Sequence, residues 1–281
     1  VQNINTIAEL REIIREQRKR GKTIGFVPTM GALHDGHLSL IEFALQRSDY
    51  VVSSIFVNPK QFGPNEDLES YPRQLKIDVE KLESINCDLL FAPSASQMYP
   101  DTFETQVRLM TTTQGLCGDY RPGHFDGVTT VVLKLLNLVT PDVVVFGKKD
   151  YQQLVVIRRM VEDLGLNIEV IGAPLIRDYD GLALSSRNTY LSKDERNQAL
   201  SLSRALKTAK QAFLRGETKR SELIRIALGV ISHSELRLEY LELRDSKNLA
   251  AVEEANQDSL MLVAAHIGTT RLIDNIEFVT G

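Results

Sequence analysis

The chain has 281 residues, 43% hydrophobic and 25% charged, which suits one large or two modest domains with a sizeable core and no disordered bias. A formal net charge of −4 excludes the basic footprint of a nucleic-acid-binding surface, while small anions can still be bound locally. Cys87 and Cys117 lack C-x-x-C or Cys/His ligand spacing, Val1 to Leu10 has polar residues throughout, and no apolar run approaches the roughly 18 residues of a membrane span. The expectation is a cytoplasmic protein with free thiols, no zinc site, no signal peptide and no membrane contact.

Ile7 to Lys19 reads as a first helix, with Ile7, Leu10, Ile13 and Ile14 as its apolar stripe and Gly21 ending it. Ile24 to Val27 is a run of strand length. Pro28, Gly31 and Gly36 punctuate the loop after it, and Leu38, Leu40, Ile41 and Leu45 resume at helical spacing. Tyr50 to Val57 is a β-branched second strand, followed by Asn58 to Asn65, a segment too rich in Pro, Gly and Asn to form an element. Pro72 to Ile85 reads as a helix and Asp88 to Phe91 as a strand. A glycine-rich stretch, Gly115 to Val128, precedes a helix through about Leu138. Asp142 to Phe146 is a buried-type strand, Gly147 to Asp150 links it to a helix reaching about Leu164, and Ile168 to Ile171 is a further strand. Strands alternating with helices give an α/β fold with five parallel strands, and ligands of such sheets bind at the carboxyl ends, at the topological switch point. His34, Gln61 and Lys149 all fall on loops at those ends and can converge.

Composition shifts after Asp178. Ser192 is a candidate N-cap for a helix to about Leu214, and a second helix spans about Ser221 to Ser232. Glu235 to Leu243, Ser259 to Ile267 and Arg271 to Phe278 then alternate as strands with Gly268 in the hairpin turn. The reading is two domains, 1–176 and a smaller C-terminal α+β domain, 177–281, that closes over the site.

Inside the first glycine-punctuated loop lies His34-Asp35-Gly36-His37. A helix starting near His34 puts both imidazoles on one face, and its N-terminus offers N–H groups and partial positive charge to an anion. In a chain with 5 His and 17 Gly, H-x-G-H is expected by chance about 0.005 times, so coincidence is a poor account. In-line displacement at phosphorus builds negative charge on a leaving pyrophosphate, and donors and cations stabilise it. His34 and His37 can donate N–H, Lys149 supplies a point charge, and Arg187 a planar fork. Ser185 and Ser186 add hydroxyls and N–H groups that can wrap a polyphosphate.

The segments VPTMGALHDGH (27 to 37), FVNPKQFGPNED (56 to 67), YPR (71 to 73), RPGHFDGV (121 to 128), VVVFGKKDYQQL (143 to 154), DGLALSSRNTYLS (180 to 192) and TTRLIDNI (269 to 276) resemble the pantoate-beta-alanine ligase family, in order and across nearly the whole chain. The resemblance implies a Rossmann-like domain of nucleotidylyltransferase type with a smaller C-terminal domain, a homodimer, ATP as substrate and Mg²⁺. It implies two steps: ATP and pantoate give pantoyl adenylate and pyrophosphate, then the amine of β-alanine displaces AMP. By motif, Met30, Gly31, Ala32, Leu33, His34, Asp35, Gly36 and His37 would line the ATP site, with His37 as the family's acid. Gly147, Lys148, Lys149 and Asp150, with Leu184, Ser185, Ser186 and Arg187, would complete it, and Ile176 would touch the adenine end. Gln61 and Gln153 would hold pantoate, Gln61 also facing β-alanine.

Leu184 departs from the methionine common in the family, a change of similar volume and small expected effect. Asp78 is a distant candidate for Mg²⁺, whose ligands are otherwise unassigned. Arg121 and His124 are either substrate contacts or loop anchors. A nucleotidylyltransferase of the H-x-G-H class acting on another small substrate is the alternative reading, since it would share the cradle but keep the nucleotide on its product.

Overall fold

The computed structural model describes residues 1–64 and 66–279; Asn65, in the loop read after the second strand, lies outside them. A short strand, β1 (Gln2–Ile4), leads into α1 (Ile7–Lys19). Thr6 caps this helix by accepting from Glu9 N–H at 3.2 Å while Glu9 accepts from Thr6 N–H at 3.3 Å, a reciprocal box. β2 (Ile24–Thr29), α2 (Asp35–Leu45), β3 (Tyr50–Ile55), α3 (Leu75–Ser84), β4 (Leu89–Phe91) and the one-turn α4 (Ala95–Met98) follow. Next come α5 (Cys117–Tyr120), α6 (His124–Val139), β5 (Val143–Gly147), α7 (Tyr151–Asp163) and β6 (Glu169–Ala173). The remainder is α8 (Lys193–Leu214), α9 (Arg220–Ile231), β7 (Arg237–Asp245), β8 (Ser259–Ile267) and β9 (Thr270–Glu277).

The chain forms two compact units. The first takes Val1–Thr113, Arg121–Lys148 and Val156–Pro174 and holds a parallel sheet of order β1-β4-β3-β2-β5-β6. Among the described residues the sheet has six strands, which corrects the five read from the sequence. Gln2–Ile4 is too short to show periodicity, and what holds it extended is its pairing with Leu89, Leu90 and Phe91. β3 and β4 lie to one side of β2, β5 and β6 to the other. The switch point therefore falls between the carboxyl ends of β2 and β5, where Met30 and Lys148 emerge. One face buries Val27, Leu33, Ile41, Val51, Leu82, Leu90 and Val145 under α2 and α3. At the opposite end of the strands Asp142 accepts from Arg18 Nη1 and from Ile24 N–H, each at 2.6 Å, tying α1 to the start of β2 and β5.

The second unit takes Gln114–Tyr120, Lys149–Val155 and the chain from Leu175 on. Its antiparallel sheet β7-β8-β9 carries Leu243, Met261, Val263, Ala265 and Leu272 against Leu202, Leu206, Leu223 and Ala227 of α8 and α9. β8 has eight of nine residues buried and is the central strand, so its run of apolar residues satisfies both faces. The contact division differs from a single cut at Ile176 because two internal segments join this unit, with Leu116, Tyr151 and Val155 packing on Leu249, Leu260 and Leu262.

Candidate active site

The H-x-G-H loop owes its path to a buried carboxylate. Gly31 and Ala32 both take left-handed backbone, φ +81° and 51°, so the chain turns sharply off β2. A Cβ on Gly31 would lie 2.9 Å from Ile55 Cγ2, which only glycine avoids. Asp78, 1% exposed on α3, accepts from Ala32 N–H at 2.9 Å and Leu33 N–H at 2.8 Å, and Lys81, one turn on, donates to the Leu33 carbonyl. Both Asp78 oxygens are thus committed to the backbone, which removes the residue as a candidate for Mg²⁺. Among the described residues no group of three His, Cys, Asp or Glu is arranged to hold a metal.

This turn delivers His34 in extended conformation as the N-cap of α2. The helix begins one residue later than its two histidines suggested, and the i, i+3 geometry holds: the rings lie 4.0 Å apart, centroid to centroid. His34 N–H donates to His37 Nδ1 at 3.4 Å, so a neutral His37 ring carries its proton on Nε2. Helix N-terminus, half-buried rings and Gly36 together form an arrangement with the chemistry to hold an anion.

Gln61 sits beside it. The segment expected to be irregular contains a 3₁₀ turn, Pro59–Gln61, with Asn58 as N-cap and Pro59 in the first position, a preorganised start. Gln61 Nε2 lies 3.2 Å from Met30 Sδ, so the expected pantoate residue touches the first residue of the expected ATP loop. The RPGHF segment grips the other end. Gln61 O accepts from His124 Nδ1 at 2.8 Å and from Arg121 Nη2 at 3.4 Å, and His124 Nε2 accepts from Arg121 Nη1 at 3.0 Å. Arg121 in turn pairs bidentately with Glu66 at 2.7 and 2.5 Å. Burial pushes the Glu66 carboxyl upward, and the hydrogen bond and charge of Arg121 outweigh it, holding Glu66 below its usual range. Arg121 and His124 are therefore anchors of the Gln61 turn. The sequence reading missed Asn58, whose Nδ2 donates to Gln61 Oε1 at 2.9 Å, and Tyr99, whose hydroxyl donates to Asn58 Oδ1 at 2.8 Å; the Asn-Pro step at Asn58 was the one available signal.

In the second unit the remaining candidates fall into two groups. Arg177 bridges Ala183, and Leu184 N–H donates to Ile176 O at 3.0 Å, so Ile176 and Leu184, eight positions apart, become neighbours on one ribbon. Ser185 then caps a 3₁₀ turn, Ser186–Tyr190, accepting from Arg187 N–H at 3.3 Å. Asp274, 4% exposed, takes both Arg177 nitrogens at 2.7 and 2.9 Å; burial pushes its carboxyl up against the pull of Arg177. The next residue, Asn275, donates to Lys149 O at 2.9 Å and ties the second group, Lys149 and Asp150, to β9. Of the adjacent glutamines, Gln152 is buried, accepting from Cys117 N–H at 2.9 Å and donating to Gly115 O at 3.2 Å, whereas Gln153 is half-buried. Gly147 ends β5 and Lys148 opens the 3₁₀ turn after it, both in the first unit.

A parallel α/β sheet with two histidines at a helix N-terminus by its switch point and a glutamine beside them has the form of an enzyme that activates a small substrate with a nucleoside triphosphate. The chain belongs to the pantoate-beta-alanine ligase family, whose model matches residues 2–277. It is 50% identical over 271 residues to the pantothenate synthetase of Thermoanaerobacter sp. (strain X514), covering 96% of each chain. It is 51% identical over 275 residues to that of Stutzerimonas stutzeri (strain A1501), covering 97% of this chain and 96% of the relative. Crystal structures agree: pantothenate synthetase from Thermus thermophilus superposes with a TM-score of 0.95 at 43% identity over 100% of both chains. Pantoate-beta-alanine ligase from Francisella tularensis, complexed with beta-gamma ATP and beta-alanine, gives 0.81 at 36% identity over 100% of this chain and 99% of that one.

Proposed function

We infer that the chain joins pantoate to β-alanine at the expense of ATP, forming pantothenate, AMP and pyrophosphate through a pantoyl adenylate. Family membership over residues 2–277 carries this reading, and the contact of Gln61 with Met30 supports it by joining an expected pantoate residue to the expected ATP loop. Pantoate's carboxylate is already ionised at pH 7 and attacks the α-phosphorus without a general base. His37, with its proton on Nε2, serves as a donor to the leaving phosphates, and His34 assists on the same face. Lys149 and Arg187 neutralise the polyphosphate, with Lys148, Ser185 and Ser186 beside them. In the second step the neutral amine of β-alanine attacks the acyl carbon, the carbonyl re-forms as AMP leaves with the electron pair of the broken acyl–phosphate bond, and the nitrogen gives up one proton to solvent.

Gln61 and Gln153 hold pantoate, Gln61 also facing β-alanine, and Ile176 and Leu184 meet the adenine end. Mg²⁺ would enter with the nucleotide and supply positive charge to its phosphates, since no group of three His, Cys, Asp or Glu among the described residues would cage it. The part of the chain beyond Ile176 closes over the site and excludes water from the adenylate. Further elements of the reading are a homodimer and a cytoplasmic location; no helix among the described residues is long and apolar enough to cross a membrane.

The test is incubation with ATP, Mg²⁺, pantoate and β-alanine, counting AMP and pantothenate. Equal amounts of both are expected. A nucleotidylyltransferase would retain the nucleotide on its product and release none.

A further inference from the structure

We propose that Gln61 meets its substrate as a hydrogen-bond donor, and that Tyr99 and Asn58 are positioning residues that fix this polarity. The inference rests on the reading of Gln61 as a pantoate contact. A carboxamide fits the same shape in two orientations that exchange donor and acceptor, so its neighbours decide between them. For Asn58 two backbone groups decide. Lys60 N–H, which can only donate, lies 3.3 Å from Asn58 Oδ1, and Gly127 C=O, which can only accept, lies 3.1 Å from Nδ2. The Tyr99 hydroxyl therefore donates to Oδ1, at 2.8 Å. Asn58 Nδ2 has its second hydrogen for Gln61 at 2.9 Å, so the Gln61 atom it meets is the oxygen.

Gln61 Oε1 is thus turned against Asn58, which is 1% exposed, and Nε2 faces Met30 Sδ. A thioether is a weak acceptor, and an oxygen of the substrate displaces it. Turning Gln61 over would set two amide nitrogens against each other, and turning Asn58 over would set its nitrogen against Lys60 N–H. Each reversal leaves donor facing donor beside Asn58, which is 1% exposed, and Gln61, which is 9% exposed. The close approach of α6 that makes this possible depends on Gly127, where a Cβ would fall 2.2 Å from the Lys60 carbonyl oxygen. Gln61 consequently selects an acceptor, a carboxylate or hydroxyl oxygen of pantoate. Its own oxygen is taken by Asn58 Nδ2, so groups other than Gln61 accept from the amine of β-alanine.

The decisive measurement is the side-chain amide spectrum of ¹⁵N-labelled protein, with the Gln61 NH₂ pair identified by its loss in Gln61→Ala. Saturating pantoate, with an α,β-methylene analogue of ATP and Mg²⁺ present, should shift that pair downfield. A pair that stays put while pantoate binds overturns the proposal. Steady-state kinetics supply a second arm. Tyr99→Phe, which keeps the ring and removes the pinning hydroxyl, should raise KM for pantoate roughly fivefold, the scale of one neutral hydrogen bond, with KM for ATP unchanged. In a Gln61→Ala background the same change should add nothing; an equal rise there would show that Tyr99 acts on packing alone, against the proposal. Gln61→Ala by itself separates the premises. If it leaves KM for pantoate unchanged, the assignment of Gln61 to pantoate fails; if it raises KM while the NH₂ pair is unmoved by pantoate, only the polarity fails.

Discussion

His34 donates its backbone N–H to Nδ1 of His37, with the two rings 4.0 Å apart at the head of α2. The bond orients the second imidazole and leaves its proton on the other nitrogen, the one suited to a developing phosphate charge. His37→Ala should slow adenylate formation by roughly 10² or more, the scale for deleting one donor to developing charge. Single-turnover formation of pantoyl adenylate measures it, and an unchanged rate would remove His37 from the chemistry.

In the proposed two-step reaction adenylation comes before attack by β-alanine and is reversible. Pantoate alone should therefore drive exchange of labelled pyrophosphate into ATP. Exchange that requires β-alanine would exclude a free-standing adenylate.

The two glutamines of α7 should separate cleanly. Gln153→Ala is expected to weaken pantoate binding while calorimetric titration with ATP stays nearly unchanged, because an amide that orients hydroxyls has no phosphate to lose. Gln152→Ala removes the partner of Cys117 N–H and the donor to Gly115 O, and should instead cost about 1–3 kcal/mol of stability in urea unfolding. A stability loss in Gln153→Ala matching that of Gln152→Ala would contradict the division.

The clamp on the Gln61 turn has an acid limit. The folded-state pKa of Glu66 is depressed below its ordinary 4.5 by Arg121. Its contribution to stability is thus complete above the ordinary value and lost as pH falls through the depressed one. Melting temperatures of wild type and Glu66→Gln should differ above about pH 4.5 and converge in stronger acid. A gap that is constant down to the most acidic pH would assign the effect to shape and not to charge.

Arg187 lies on the ribbon beyond Ile176, in a 3₁₀ turn capped by Ser185. If this segment both neutralises the triphosphate and seals the adenylate from water, Arg187→Lys should slow adenylation, because lysine lacks the planar fork. It should also release more AMP than pantothenate. The ratio of the two at limiting β-alanine is the measurement; a slower but strictly coupled variant would restrict Arg187 to binding charge.

Periodicity in this sequence is enough to define Ile7–Lys19 and Ser259–Ile267, because a helical stripe or a continuous apolar run is a local pattern that packing then rewards. The i, i+3 geometry of H-x-G-H was legible for the same reason, its two histidines, glycine and helix start all lying within a few residues. Other features have no local signature. β1 exists through its pairing with β4, and Asp78 passes from metal candidate to loop support only when α3 lies against the turn after β2. Gln152 and Gln153 are chemically identical neighbours, and which one is buried depends on the direction each takes from α7 toward the 114–117 segment. The polarity of Gln61 is the extreme case, fixed by Lys60, Gly127 and Tyr99 through a buried amide. Sequence spacing carries short-range geometry, whereas the orientation of a buried polar group is set by whichever donors and acceptors the fold brings to it from far along the chain.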